Sequence, residues 1–216
     1  MNYRLINRYC YHNKMVSILT GDIISSRKLP VETWLSVLKS ALTEVGGKKN
    51  WEIFRGDSFQ IEVSPEEALL KSIYLKASIK AIKGLDVRIA IGIGKKKFSA
   101  KKISESNGEA FVLSGEKLDE LKRDRVSLAI QSVWPEFDYE TNVSIRLALI
   151  AMDNWSTISA EMVKLSLENP EISQKDLAEL AKKSQSTVSE ALKRARFSDI
   201  IELDGLYRKK LKSLLA

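Results

Sequence analysis

The sequence predicts an α+β chain: a sheet-bearing N-terminal domain followed by a helix-rich one. Three observations carry this. Val87, Ile89, Ile91 and Ile93 alternate with Arg88, Ala90, Gly92 and Gly94, the period of two that a strand requires. Strand-like runs at 51–55 and 59–63 are joined through Gly56-Asp57-Ser58, as in a hairpin. From Thr157 on, helical segments alternate with polar turns at Asn169-Pro170 and Lys182-Lys183-Ser184.

The elements follow in order. Val16-Ser17-Ile18-Leu19-Thr20 reads as a buried strand that ends at Gly21-Asp22. Pro30 opens a helix in which Val31, Trp34, Leu35, Leu38, Leu42 and Val45 keep helical spacing, and Gly46-Gly47 stops it. The hairpin comes next. Ser64-Pro65-Glu66-Glu67 supplies an N-cap, a first-turn proline and a capping glutamate for a helix to about residue 82. The alternating strand is followed by a lysine-rich loop, a helix over about 108–122 and a strand at 126–131. The order β-α-β-β-α-β-α-β is the ferredoxin-like split arrangement plus one helix and strand. Trp134-Pro135 breaks the pattern, and 142–152 is apolar on most faces. The resulting division is 1–14 extension, 15–133 ferredoxin-like domain, 134–156 connecting helix and 157–216 helix-turn-helix domain.

Composition narrows the function. The 216 residues suffice for one or two domains, and 44% hydrophobic content with only 10 Gly and 4 Pro excludes a disordered chain. No apolar run approaches the ~20 residues of a bilayer span. One Cys excludes a disulfide framework and suits a cytoplasmic protein. Cys10 and His12 both lie in 1–14, which has no periodicity, and Met15 stands directly before the first strand. Residues 1–14 are therefore expected to be a loose extension, or Met15 the natural start. The remainder then has no His or Cys, which removes Ser-His-Asp hydrolysis, cysteine nucleophiles and His-ligated zinc. Arg4, Arg8 and Lys14 leave with the extension, so the net charge falls from +7 to +4. Any case for nucleic acid must then come from local clustering.

That clustering is C-terminal. One short helix over 172–181 leads through a tight turn into a second over 185–195, where Val188, Ala191, Leu192 and Ala195 share a face. Leu177, Ala178 and Leu180 supply the face that meets it. The outward side shows Gln185, Ser186, Thr187 and Ser189, then Lys193 and Arg194: short polar groups to reach base edges, then cations for phosphates. Residues 182–196 hold five basic residues and one acid. Residues 200–210 read as a hairpin turning at Asp204-Gly205, with Arg208 and Lys209 on its basic second strand. The alternative is an amphipathic helix pair packed on the first domain with a solvated basic face.

The N-terminal domain offers a second constellation. Asp22 follows the first strand and Asp57 sits in the hairpin turn, and in a ferredoxin-like sheet those strands are neighbours. Two carboxylates without His suit Mg²⁺ or Mn²⁺ with a nucleotide. Ser25 and Ser26 could face its phosphates, and Arg27 and Lys28 could neutralise them. The alternative makes both aspartates ordinary turn residues. Lys95, Lys96, Lys97, Lys101 and Lys102 form a cationic run, solvated or touching phosphates. Gly92-Ile93-Gly94-Lys95 lacks the spacing of a phosphate loop. The helix around Ile145, Leu147, Leu149 and Ile150 reads as interdomain core, with a dimer interface as second choice.

"QKDLAELAKKSQSTVSEALKRA" resembles the winged helix-turn-helix of bacterial regulators, with Lys182 where that motif usually carries Gly. "ILTGDIISS", "FRGDSFQIEV" and "VRIAIGIG" are similar to the palm of class III nucleotide cyclases and diguanylate cyclases. That resemblance implies metal ligation by Asp22 and Asp57. The Asn and Arg that stabilise the cyclase transition state would fall on Val112 or Leu113 and on Glu116 or Lys117, so the palm reads as catalytically degenerate. Together, "GDII.S", "FRGDSF", "IAIGIG" and the C-terminal motif resemble the SatD family, bacterial proteins regarded as DNA-binding regulators. The resemblance implies a homodimeric transcription regulator that binds double-stranded DNA through its C-terminal domain. Its other domain would sense a ligand or mediate assembly. The rival reading is a divalent-metal nucleotide cyclase or related phosphoryl-transfer enzyme carrying a DNA-binding module.

Overall fold

The computed structural model describes residues 15–215. Cys10, His12 and the proposed extension lie outside the described residues. Strand β1 (Met15–Ile24) and helix α1 (Val31–Gly46) are followed by the hairpin β2 (Trp51–Phe54) and β3 (Ser58–Val63), then α2 (Ala68–Lys80) and β4 (Asp86–Phe98). The two-residue β5 (Asn107–Gly108), α3 (Glu109–Asp124) and β6 (Leu128–Gln131) complete the sheet-bearing part. Five helices follow or close it: α4 (Pro135–Met152), α5 (Thr157–Glu168), α6 (Gln174–Ala181), α7 (Gln185–Arg194) and α8 (Phe197–Leu215).

The sheet runs β2-β3-β1-β4, antiparallel throughout, with β5 and β6 both on the far side of β4 and β6 parallel to it. Period two decides what covers each face. Leu19, Ile23, Phe59, Ile61, Val87, Ile89, Ile91 and Ile93 face one way and build the main core with α1 and α2. On the other face β4 shows Ala90, Gly92 and Gly94, and there α3 lies against the backbone. A Cβ on Gly92 would stand 2.2 Å from the Ala110 carbonyl oxygen and 2.5 Å from the Ser114 nitrogen, so only glycine admits the helix this closely. The exposed edge of β6 is covered by a side chain. Asn142 on α4 accepts from the Ile130 N–H at 2.8 Å and donates to the Ile130 carbonyl at 2.9 Å.

The main core does not stop at the sheet. It continues through Met152, Trp155, Ala160, Val163, Ala195, Ile200, Tyr207 and Leu211. Trp155 donates its indole N–H to the Ala195 carbonyl at 3.0 Å, and Tyr207 donates to the Pro65 carbonyl. Lys76 is 1% exposed, with its ammonium 2.9 Å from Asp86 and 2.7 Å from Asp153, so α2, β4 and the end of α4 meet on one buried cation. Breaking such a cluster by removing one partner typically costs ~3–5 kcal/mol.

Four expectations need correction. Residues 200–210 are not a hairpin but part of α8. Ile200, Leu203, Tyr207 and Leu211 recur at helical spacing on the face that meets the core, and this outweighs the turn signal of Asp204-Gly205. Lys95, Lys96 and Lys97 belong to β4 rather than to a loop, because the strand continues to Phe98 against β1 and β5. Strand β1 does not end at Gly21-Asp22 but runs to Ile24, so Asp22 lies inside it, paired across to Ser58 and Arg88. Leu147 and Ile150 point outward, so only Ile145 and Leu149 of that group are core.

Candidate nucleic-acid interface

The helix pair α6–α7 is built by its caps. Ser173 accepts from the Asp176 N–H at 3.1 Å and donates back to the Asp176 carboxylate at 2.7 Å. Ser184 accepts from the Thr187 N–H at 3.1 Å and also meets the Thr187 and Ser186 hydroxyls. Between them Lys182 adopts φ 52°, ψ 45°, the left-handed conformation that a glycine takes at less cost. Lys183 N–H then closes the turn on the Ala178 carbonyl at 2.9 Å. Met162 of α5, Leu177 and Ala178 of α6, and Val188 and Ala191 of α7 form the small core under the pair. Leu180, expected in that core, is exposed.

With that side buried, α7 turns Gln185, Ser186, Ser189, Lys193 and Arg194 to solvent. Thr187 is half-buried and held by the Ser184 cap. Glu190 lies on the outward side too, one turn after Ser186 and one before Arg194. Its i, i+4 spacing from both residues is the sequence signal that sets it on this face. Lys182, Lys183 and Lys175 are exposed nearby in sequence. The helix therefore presents hydrogen-bonding groups at its N-terminal end and cations at its C-terminal end.

Arg208 and Lys209 do not form a wing. Arg208 is half-buried and ion-paired to Asp204 one turn earlier on α8, and Lys209 is exposed. Burial pushes the Asp204 carboxyl above the usual carboxylate range, opposed by the Arg208 guanidinium beside it.

The end of β1 and the turn after it are arranged differently. Asp22 is the cross-strand neighbour of Arg88, and both its oxygens lie 3.1 Å from the guanidinium. Lys122 of α3 stands 4.0 Å from it. Asp57 accepts a hydrogen bond from Ser26 instead. The two carboxylates share no partner, and a divalent cation would have to displace the guanidinium from Asp22. Among the described residues no three His, Cys, Asp or Glu gather as a metal-binding group. Ser25 is left-handed at φ 66°, and Arg27 and Lys28 are exposed. Of the places where the cyclase resemblance would put its Asn and Arg, Val112 and Glu116 face solvent, Leu113 is half-buried, and Lys117 pairs with Glu120. In the lysine run, Lys96 is paired with Glu62, while Lys95, Lys97, Lys101 and Lys102 are exposed.

No helix among the described residues is long and apolar enough to cross a membrane. No curated protein matches the chain. Residues 162–202 match the family of winged helix-turn-helix DNA-binding domains, a span that begins within α5, holds α6 and α7 whole, and ends early in α8. The chain thus carries a DNA-binding helix-turn-helix in this segment.

Proposed function

We propose that the protein is a transcriptional regulator that inserts α7 into the major groove of duplex DNA. The observation that carries this reading is the outward face of α7, polar at its capped N-terminus and cationic at its C-terminus. Gln185 and Ser186 sit where recognition-helix side chains reach base edges, and Gln can pair with both the amino group and N7 of adenine. Ser189 lies one turn on. Lys193 and Arg194 meet phosphates. Glu190, on the same face, suits acceptance from a cytosine amino group and repels misplaced phosphate.

The sheet order β2-β3-β1-β4 with α1 and α2 on one face supports a ferredoxin-like reading of the body. Its carboxylates are engaged by Arg88 and Ser26, which favours an assembly role over phosphoryl transfer. The test is selection of binding sites from random duplexes by the full chain, followed by affinity measurements on the selected site. Gln185→Ala and Glu190→Ala should each lose about 1–3 kcal/mol of discrimination at one base position while binding to unrelated duplex stays unchanged. Failure to enrich any sequence, or variants that weaken all duplexes equally, would count against base reading by α7.

A further inference from the structure

The end of the sheet where β4 finishes gathers cations from two loops. Met15 of β1 pairs with Lys95 there. The turn after α1 reaches the same end, because the Asn50 carbonyl accepts from the Glu62 N–H and Glu62 pairs with Lys96. The loop after β4 arches back toward β2, where the Ser104 N–H meets the Glu52 carboxylate at 3.4 Å. Lys48, Lys49, Lys95, Lys97, Lys101 and Lys102 are all exposed on this end. No ion pair among the described residues engages any of them. With Lys96 included, seven cations stand against four acids, Glu52, Glu62, Glu105 and Glu109. Two of those acids also accept from backbone N–H groups, Glu109 from Lys95 and Glu52 from Ser104.

Charge alone would be met by water and salt, but the lysines surround groups that charge does not explain. Phe98 is 46% exposed in their midst. Its cross-strand partner Asn107 is exposed too. Asn107 and Lys97 help to line a hollow of about 530 Å³ whose apolar walls include Val112 and Val133, 57% and 43% exposed. These groups match the two parts of a nucleotide. Lysines suit the phosphodiester, the phenyl ring and the hollow suit an unpaired base, and the amide suits that base's edge.

We propose that this end of the sheet binds single-stranded nucleic acid, with the lysines on its backbone and Phe98 stacked on a base. A duplex keeps its bases stacked on one another and would leave the ring and the hollow without a partner. Helix α2 packs on the sheet, α5 on α2 and α7 on α5, so this surface is separate from the outward face of α7. It adds an activity to the duplex binding proposed for that helix and does not depend on it.

Fluorescence anisotropy of the full chain with labelled oligothymidylate and oligouridylate tests the site, and the tighter arm shows which sugar it takes. Binding should saturate and weaken with salt, each phosphate contact adding about 0.7 to the slope for a single strand. Phe98→Ala should weaken binding about tenfold, and Phe98→Trp should keep it, because any aromatic face can stack on a base. Lys97→Ala with Lys101→Ala should make the slope shallower by about 1.4. Lys193→Ala/Arg194→Ala should bind both oligonucleotides as the parent does, which separates this surface from α7. No saturable binding to either oligonucleotide would overturn the proposal. So would binding that Phe98→Ala leaves intact, or binding that Lys193→Ala/Arg194→Ala abolishes. Capture by vesicles of anionic phospholipid, with neither oligonucleotide bound, would assign the lysines to a membrane surface instead.

Discussion

The turn between α6 and α7, and the end of β1 with the turn after it, both gather serines and charged residues, and the fold treats them differently. In the helix pair the serines are used on the backbone as caps, and Lys193 and Arg194 remain outside facing solvent. Near the end of β1, Asp22 is ion-paired to Arg88, and Asp57 in the β2–β3 turn accepts from Ser26. Residue types that can bind a ligand are common. On α7 exposed cations stand beside exposed hydrogen-bonding groups on one helix face, and that combination carries the proposal made for it.

The comparison breaks most visibly at Arg88. Its side chain and that of Asp22 are both largely buried, so Arg88→Met should strand a carboxylate and cost about 3 kcal/mol, the low end for a broken buried pair. Asp22→Asn in the same chain should recover a large part of that loss, and urea unfolding of the two single variants and the double variant measures the coupling. No loss on Arg88→Met would mean that Asp22 is available after all.

The turn of the helix pair gives two smaller effects of opposite sign. Lys182→Gly relieves a left-handed non-glycine residue and should add about 1 kcal/mol. Ser184→Ala removes the α7 cap and should cost about 1 kcal/mol. Hydrogen exchange of the α7 amides should follow the same order. If Ser184→Ala leaves α7 protection unchanged, the cap does not set the position of α7.

The smallest effect concerns pH. Burial raises the Asp138 carboxyl above its usual range, opposed by the Ser132 N–H that it accepts at 2.7 Å. A raised folded value means that protonation favours the folded chain: the contribution is full below the unfolded value and is lost as pH rises through the folded one. Asp138→Asn should therefore be at least as stable as the parent at pH 7, with its advantage shrinking on acidification. Thermal melts at both ends of that range check the sign.

The parts legible in the sequence are those governed by local rules. Period two exposes β4, and the helical spacing of Val188, Ala191, Leu192 and Ala195 fixes the inner side of α7, so its outward face follows from counting residues. Asp204-Gly205 misleads because a two-residue turn signal is local, while Ile200, Tyr207 and Leu211 find their partners in the distant core. The partner of Asp22 lies 66 residues away and is fixed by the β1–β4 register, which no local pattern reveals. Helix α2 is buried almost all round, so it lacks the polar stripe that would have shown which elements enclose it.

The most direct measurement is the salt dependence of duplex binding by the full chain and by Lys193→Ala/Arg194→Ala. Each phosphate contact adds about 0.9 to the slope of log affinity against log salt. The parent should show a steep negative slope, and the double variant a slope shallower by about 2, with weaker binding to every duplex. A parent whose binding ignores salt, or a double variant with the parent's slope, would contradict the assignment of α7 as the DNA-contacting helix.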